Sequence, residues 1–154
     1  MTKELKPGIK APAFTLKDQH GSKVSLKDYA GKKVALFFYP KDMTSTCTVE
    51  ACNLRDHYAA LQNQGIEVIG ISPDDELSHE KFIGKHELPY TLLADTAHTA
   101  LEKYGVWGEK SMYGRKYMGV LRTTFLINED GKIHDIIRKV EAKNHAAQIL
   151  KLWT

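Results

Sequence analysis

The chain has 154 residues with a formal net charge of +3, and 42% of its residues are hydrophobic, which suits one folded domain over 1–154 rather than a disordered chain. No apolar run approaches the roughly 20 residues of a membrane span, and the N-terminus lacks the apolar segment of a signal peptide. Because the 22 cations are interspersed with 19 anions, neither nucleic acid nor a membrane is expected as a partner.

The elements expected from the sequence begin with a short hairpin at 13–16 and 24–26, around a turn at 19–22. The further strands are expected at 34–39, 66–72, 90–94, 120–127 and 132–140. The helices are expected over 47–63, from 73–75 onward, through Leu101 and Tyr104, and finally through Ala146, Ile149, Leu150 and Trp153. This order predicts an α/β domain with a central mixed β-sheet flanked by helices and an N-terminal β-hairpin, as in thioredoxin-like folds.

Two further features have less specific interpretations. The stretch 103–117 mixes cations with aromatic residues that could stack on bases, but an exposed connecting loop with three glycines is the preferred interpretation. The seven histidines show no metal-binding spacing. His79 and His86 could share a helix face, yet solvated histidines are preferred, and no metal site is predicted.

The two cysteines of the chain are Cys47 and Cys52. Cys47 follows possible N-cap residues at 44–46 and so falls in the first helical turn, where free N–H groups and the helix dipole favour a thiolate. A lone cysteine there is equally often a small buried apolar residue. The helical stripe of Cys47 is apolar and that of Cys52 is mostly polar, so Cys47 is expected to face a pocket and Cys52 to face outward.

The spacing of the two cysteines is unsuited to a disulfide within an intact helix. Five residues along a helix separate the Cα atoms by roughly 8 to 9 Å, which exceeds the limit of about 7 Å for a disulfide. A bond between Cys47 and Cys52 would therefore require the first helical turn to unwind, which is the behaviour of a redox switch.

A cation is needed beside Cys47, because Glu50 lies one turn away and its charge disfavours a thiolate. Arg55 is two turns further along the helix and too far for direct contact. Arg122 lies in an apolar stretch expected to be a strand, where an unpaired arginine is costly. Arg122 is therefore either the partner of this site or an edge-strand arginine in solvent.

The chain resembles the peroxiredoxins in the motif Pro40-x-x-x-Thr44-x-x-Cys47. It is similar to their bacterioferritin comigratory protein (peroxiredoxin Q) branch in Cys47-Thr48-x-Glu50-Ala51-Cys52. The resemblance continues through 104–110, 112–114 and 122–127, and so spans nearly the whole chain. One departure is Ser45-Thr46, where family members often carry Pro-Gly, and it implies a less rigid loop.

The resemblance implies a thioredoxin-dependent peroxidase. Cys47 would attack hydrogen peroxide or an organic hydroperoxide and become a sulfenic acid, which Cys52 would resolve as an intramolecular disulfide. The implied roles of the other site residues are substrate orientation by Thr44, shielding of the pocket by Pro40, activation of the thiol by Arg122 and positioning of the arginine by Glu50.

The same resemblance implies that thioredoxin or a similar dithiol reductant regenerates the thiols, with no metal or organic cofactor. The branch is often monomeric, and cysteines that need reduction fit the cytoplasm. Two alternatives stay open: a one-cysteine peroxidase resolved by an external thiol, and a non-enzymatic thioredoxin-fold module whose cysteines sense oxidation or fill space. A thioredoxin-like reductase is disfavoured because it would carry C-x-x-C.

Overall fold

The structure, a computed structural model, describes residues 4–153. Its strands are β1 (Thr15–Lys17), β2 (Lys23–Ser25), β3 (Lys33–Phe38), β4 (Ile66–Ser72), β5 (Thr91–Ala94), β6 (Trp107–Met112), β7 (Arg115–Val120), β8 (Thr123–Ile127) and β9 (Ile133–Ile137). Its helices are α1 (Ser45–Asp56), α2 (Tyr58–Asn63), α3 (Glu76–His86), α4 (Thr99–Lys103) and α5 (His145–Leu152). Short 3-10 turns lie at Leu26–Tyr29 and Ala142–Asn144.

Seven strands form one sheet in the order β2-β1-β5-β4-β3-β8-β9, and β6 pairs separately with β7. The strands β3, β4 and β5 run parallel, whereas β8 pairs antiparallel with both β3 and β9. β1 pairs antiparallel with β2 and β5. The central mixed sheet flanked by helices and the N-terminal hairpin are therefore confirmed.

The central strand β3 is buried on both faces, as its unbroken apolar run predicts. Side chains alternate along a strand, so Ala35 and Phe37 pack on one face, in a cluster with Cys47, Ala51 and Leu54 of α1. Val34, Leu36 and Phe38 pack on the other face, in a cluster with Leu101 and Tyr104. The apolar stripe of α1 thus fixes the helix on the sheet with Cys47 turned inward.

The helix expected over 47–63 is divided in two. α1 begins at Ser45 and ends at Asp56, and α2 begins at Tyr58. The residue between them, His57, binds the Asn53 carbonyl twice, through its backbone N–H at 3.2 Å and its ring Nδ1 at 2.9 Å. Such local side-chain bonds compete with regular helix geometry, and this one coincides with the break.

The interpretation of 103–117 as a connecting loop is wrong. Most of this stretch belongs to an antiparallel hairpin of β6 and β7, closed by Tyr113 and Gly114 with φ values of +51° and +79°. Two consecutive residues with positive φ make the type I′ turn that matches strand twist. The strand expected over 120–127 is also divided, because Val120 ends β7 and β8 begins at Thr123.

Within residues 4–153, no helix is both long enough and apolar enough to cross a bilayer. The longest of them, α1, has 12 residues.

Gly70 lies in the centre of β4, where β3 and β5 leave no room for a side chain. A Cβ there would lie 2.6 Å from Leu92 Cδ2 and 2.7 Å from Phe37 Cζ. We therefore expect Gly70→Ala to lower the free energy of unfolding by about 1–3 kcal/mol, the usual cost of overpacking a core, as measured by urea denaturation. The matched control is Gly84→Ala in α3, where a Cβ meets nothing within 4 Å. This variant should have a free energy of unfolding up to about 1 kcal/mol higher than the wild type. Equal losses at both positions would contradict steric crowding at Gly70.

Candidate active site

The segment that follows β3 leads directly into α1. Tyr39 continues the sheet through its N–H bond to the Ile71 carbonyl at 3.1 Å, and Pro40 lies beside it, partly exposed. Thr44 is the N-cap residue of α1, but its side chain caps no N–H group; its hydroxyl instead donates to the Lys41 carbonyl at 2.9 Å. This geometry leaves the lone pairs of the Thr44 oxygen available to accept a hydrogen bond from a ligand.

Cys47 lies in the first turn of α1 as a free thiol that is 1% exposed. The N–H groups of a first helical turn have no partners within the helix, and the dipole makes this end positive. Cys52, on the same helix, is also a free thiol but only half-buried. The inward and outward directions expected from the two helical stripes agree with these exposures, and α1 is continuous across both residues.

Arg122 joins Cys47 to Glu50. Its Nη2 donates to Cys47 Sγ at 3.2 Å, and its Nη1 donates to Glu50 Oε1 at 2.6 Å. Glu50 is fully buried and the Arg122 side chain is 19% exposed. Burial disfavours the charged guanidinium, but the charges of Glu50 and Cys47 outweigh burial and raise the pKa of Arg122, so the side chain stays a cation.

The interpretation of Arg122 as an edge-strand residue in solvent is wrong. Arg122 does not lie inside a strand, because it belongs to the link between Val120 and Thr123. The link is held by Leu121, whose N–H donates to the Val106 carbonyl at 2.7 Å. Freed from strand pairing, the Arg122 side chain reaches α1, where it donates to Glu50 and Cys47.

Glu50 brings a second buried charge to the site. Burial raises its pKa from 4.5 to about 7, although the charge and hydrogen bond of Arg122 lower it. A carboxyl group with this environment can gain or lose a proton near neutral pH, and such groups cluster at functional sites.

A buried network around Asp42 anchors the segment between β3 and α1, and the sequence interpretation missed it. Asp42 Oδ1 accepts from the Tyr39 hydroxyl at 2.6 Å, and Oδ2 accepts from the Ser78 hydroxyl at 2.8 Å. His79 Nδ1 lies 2.7 Å from Asp42 Oδ2, while its Nε2 lies 2.9 Å from the Leu93 carbonyl. Since a carbonyl only accepts, Nε2 carries a proton, and the ring connects the segment to β5.

A second acid completes this anchor. Asp74 Oδ2 accepts from the backbone N–H of Asp42 at 2.8 Å and from the Ser72 hydroxyl at 2.7 Å. Next in the chain, Met43 adopts a left-handed conformation with φ +67°, which is uncommon for a residue with a side chain. The bonds to Asp42 therefore hold a strained turn in place immediately before Thr44.

Asp42, Asp74 and His79 bring one possible metal-ligand atom each within 4.8 Å of one another. The hydrogen bonds already described engage both oxygens of Asp42 and both nitrogens of His79, so the group functions as a hydrogen-bonded anchor in this structure. A metal ion would have to replace these bonds.

The interpretation of the histidines as solvated is wrong for His79 and His145, which are both 0% exposed. A signal was available for His79, because it lies three residues before Phe82 and so shares the buried stripe of α3. His145 begins α5, and its ring contacts Gln148 Oε1, three residues along the same helix, at 2.8 Å; its contact with the Thr124 hydroxyl at 2.7 Å follows only from the tertiary fold.

Comparison with known proteins identifies the family of the chain. Residues 7–136 match the AhpC/TSA family. The chain belongs to this family. Among curated relatives, it is 46% identical to peroxiredoxin Bcp of Bacillus subtilis over 94% of this chain and 92% of that protein. It is 45% identical to peroxiredoxin Bcp of Escherichia coli over 95% of this chain and 94% of that protein.

Solved structures of peroxiredoxins share the fold. Peroxiredoxin Q of Xanthomonas campestris superposes with a TM-score of 0.88 at 29% identity, covering 96% of both chains. Peroxidoxin BcpB of Mycobacterium tuberculosis gives 0.86 at 34% identity, covering 97% of both chains. Bacterioferritin comigratory protein of Xanthomonas campestris gives 0.88 at 28% identity over 96% of both chains, and it was solved for insight into alkyl peroxide reduction. The resemblance to the bacterioferritin comigratory branch and the thioredoxin-like fold are thereby confirmed.

Arg122→Ala tests whether the guanidinium stabilises a Cys47 thiolate in this peroxiredoxin. The change removes the cation and the donor to Sγ, and a buried thiol without a cation beside it disfavours the thiolate, so we expect the pH midpoint of thiolate formation to rise by about 1–2 units. The measurement is the ultraviolet absorbance of the thiolate against pH, in a Cys52→Ser background that leaves one thiol. Arg115→Ala, on the exposed β7 strand, should leave the midpoint unchanged. An unchanged midpoint in Arg122→Ala would show that the arginine does not stabilise the Cys47 thiolate.

Proposed function

We propose that this peroxiredoxin, a thiol peroxidase by its family, reduces hydrogen peroxide and organic hydroperoxides with Cys47 as its nucleophile. The observation that carries the proposal is the Arg122 guanidinium, which contacts Cys47 Sγ and Glu50 at the positive end of α1. A buried thiol with a cation and a helix N-terminus beside it is the environment of a reactive cysteine. The alkyl peroxide reduction of the related Xanthomonas protein supports the same substrate class.

In the first step, the Cys47 thiolate attacks the terminal oxygen of the hydroperoxide. An S–O bond forms as the O–O bond breaks, the electron pair leaves with the alkoxide or hydroxide, and that product takes up a proton. Cys47 becomes a sulfenic acid, two electrons more oxidised. Arg122, whose side chain is partly exposed, stabilises the negative charge that develops on the departing oxygen.

Thr44 and Pro40, which precede α1, are proposed to bind and shield the peroxide. The Thr44 oxygen, which donates its own hydrogen to the Lys41 carbonyl, accepts the O–H of the hydroperoxide and so directs the terminal oxygen toward Cys47. Pro40, partly exposed beside Tyr39, limits the access of water to the same approach. Glu50 holds Arg122 in the orientation that the reaction needs.

Cys52 is proposed as the resolving thiol. Its thiolate attacks the sulfur of the Cys47 sulfenic acid, an S–S bond forms as the S–O bond breaks, and the electron pair leaves with hydroxide, which takes up a proton to become water. The first turn of α1 must unwind for the two sulfurs to meet. The lack of a side-chain cap at Thr44 favours such unwinding, because a good N-cap typically stabilises a helix by about 1 kcal/mol.

Thioredoxin or a similar dithiol protein supplies the two electrons that reduce the disulfide in the proposed cycle. A cycle of this kind needs a reducing compartment, so we assign the protein to the cytoplasm. Residues 1–154 are proposed to act as a single domain and as a monomer. The cycle includes no nucleic acid, membrane, metal or organic cofactor.

Cys47→Ser should reduce peroxide consumption by about a thousandfold or more, because a hydroxyl has no comparable nucleophilicity. The measurement is the loss of added hydrogen peroxide with a thioredoxin system present, and circular dichroism verifies the fold. Cys52→Ser is the matched control, since it should still consume one equivalent of peroxide. Retained turnover in Cys47→Ser would refute the assignment of the nucleophile.

Cys52→Ser should stop the cycle after one turnover. Intact mass after one equivalent of peroxide should show loss of two hydrogens in the wild type, as a disulfide forms, and gain of oxygen in Cys52→Ser. Gain of oxygen in the wild type, with undiminished thioredoxin-driven turnover of the variant, would instead support a one-cysteine peroxidase. No rapid change of mass in either chain would support a non-enzymatic module.

A further inference from the structure

One oxygen of Glu50 has no hydrogen bond. Oε1 accepts from Arg122, whereas Oε2 is buried and has no hydrogen-bonding partner among residues 4–153. The ring atom that faces it is His145 Nε2, at 3.6 Å, and both side chains are 0% exposed. An unsatisfied buried polar group costs about 1–3 kcal/mol, so this contact needs a physical explanation.

The hydrogen bonds of His145 determine which ring nitrogen carries the hydrogen. Nδ1 lies 2.8 Å from Gln148 Oε1. The orientation of that amide follows from two further bonds, in which Oε1 accepts from the Glu141 N–H and Nε2 donates to the Lys139 carbonyl, both at 3.0 Å. Nδ1 is therefore the donor. The Nε2 of a neutral ring then has one lone pair, which can accept either from the Thr124 hydroxyl, 2.7 Å away, or from a proton on Glu50 Oε2.

Two acceptors, Glu50 Oε2 and His145 Nε2, thus face each other in the core. We propose that Glu50 and His145 share one buried proton at this contact, and that this proton determines how much of the Arg122 charge is available to Cys47. The inference rests on the proposed function of Cys47. With the proton present, the Cys47 thiolate and Arg122 neutralise each other. Without it, two anions share one guanidinium, and the thiolate is disfavoured.

Burial shifts both members of the pair in the direction that a shared proton requires. It raises the pKa of Glu50 from 4.5 to about 7, against the effect of Arg122. It lowers the pKa of His145 from 6.5 to about 4, while Gln148 opposes and Arg122 assists the shift. The proton of the folded pair therefore resides on the carboxyl group, whereas in an unfolded chain between pH 4.5 and 6.5 the imidazole holds it.

Because the proton is held by Glu50 in the folded chain and by His145 in the unfolded chain, the two groups affect the pH dependence of stability in opposite directions. The raised pKa of Glu50 makes the folded state less stable as pH rises from 4.5 to about 7. The lowered pKa of His145 makes the folded state more stable as pH rises from about 4 to 6.5. The two slopes oppose each other because folded and unfolded chains bind the same number of protons in the shared window. The pair therefore keeps a proton beside the site with little pH-dependent cost.

Other titratable groups that face the pair hold the proton less readily. Arg122 stays a cation, since the charges of Glu50 and Cys47 raise its pKa. Tyr90, ahead of β5, has a pKa well above its ordinary value because of burial and the charge of Glu50, and its hydroxyl donates to the Ala51 carbonyl. Cys47 shares the Arg122 guanidinium with Glu50, so it is the group whose charge the proton would control.

Glu50→Gln imitates the protonated carboxyl, because its amide oxygen can accept from Arg122 and its amide nitrogen can donate to His145. In a Cys52→Ser background, the ultraviolet titration of Cys47 should become a single step with a larger thiolate fraction at neutral pH. The unmodified pair should give a broader titration, since Glu50 loses its proton in the same range. An unchanged titration in Glu50→Gln would overturn the proposal.

His145→Phe removes the acceptor and fills the space with a ring. Glu50 should then lose its proton at lower pH, and the thiolate fraction of Cys47 should fall by about threefold to tenfold, or about 0.5–1 pH unit. In the Glu50→Gln background, the same change should have no effect on the titration. An equal shift of the Cys47 titration with Glu50 and with Glu50→Gln would mean that His145 acts only through packing. No shift in either background would mean that His145 does not affect Cys47, and either outcome would overturn the proposal.

Infrared spectroscopy gives a second readout that does not depend on the His145 variant folding. Below neutral pH, the Cys52→Ser chain should show the C=O stretch of a buried protonated carboxyl, which Glu50→Gln should lack. The same band in both chains, or in neither, would overturn the proposal. Neither titration nor infrared spectroscopy uses peroxide, so failure of the shared proton is distinguishable from failure of Cys47 as the peroxidase nucleophile.

Discussion

The Arg122 guanidinium is the cation on which the site depends. Cys47 and Glu50 lie one turn apart on α1, and both are buried, so neither could be ionised beside the other without it. The planar fork of arginine contacts both at once, at 3.2 and 2.6 Å, which the point charge of a lysine would not reproduce. Arg122 reaches α1 because it lies in the link between β7, which ends at Val120, and β8, which begins at Thr123. The boundaries of these strands therefore determine where the positive charge lies.

The start of α1 is positioned from its other side by the network around Asp42. That acid ties the turn after β3 to Ser78 and His79 of α3, and His79 extends the connection to β5 through the Leu93 carbonyl. Breaking a buried network of this kind typically costs several kcal/mol. The turn before Thr44 is therefore rigid where it meets the sheet, whereas α1 itself begins without a side-chain cap. The Asp42 network therefore fixes the turn before Thr44, and the first turn of α1 is the part that can unwind.

Sequence reasoning succeeded where the physical signal was local. The unbroken apolar run predicted β3, the isoleucine and valine residues of 66–71 predicted β4, and the helical stripe through Cys47, Ala51 and Leu54 predicted which thiol is buried. The hairpin of β6 and β7 was missed because its strands are largely exposed and show no clear apolar alternation. The burial of His79 was missed although it shares the apolar stripe of α3 with Phe82, and its partner Asp42, 37 residues away, could not be predicted. Thr124, which contacts His145 from 21 residues away, could not be predicted either.

In the proposed cycle, the contact that activates Cys47 also restrains α1. A thiolate accepts a charge-assisted hydrogen bond from Arg122, about twice as strong as a neutral one, and this bond ties the uncapped first turn to the sheet. Oxidation to a sulfenic acid removes the negative charge of Cys47. Arg122 then keeps its strong hydrogen bond only to Glu50, and the restraint on Cys47 weakens. The first turn is released after the peroxide has reacted, which is when Cys52 needs to approach. A single guanidinium can therefore order the two steps, because it binds the helix start more strongly before oxidation than after.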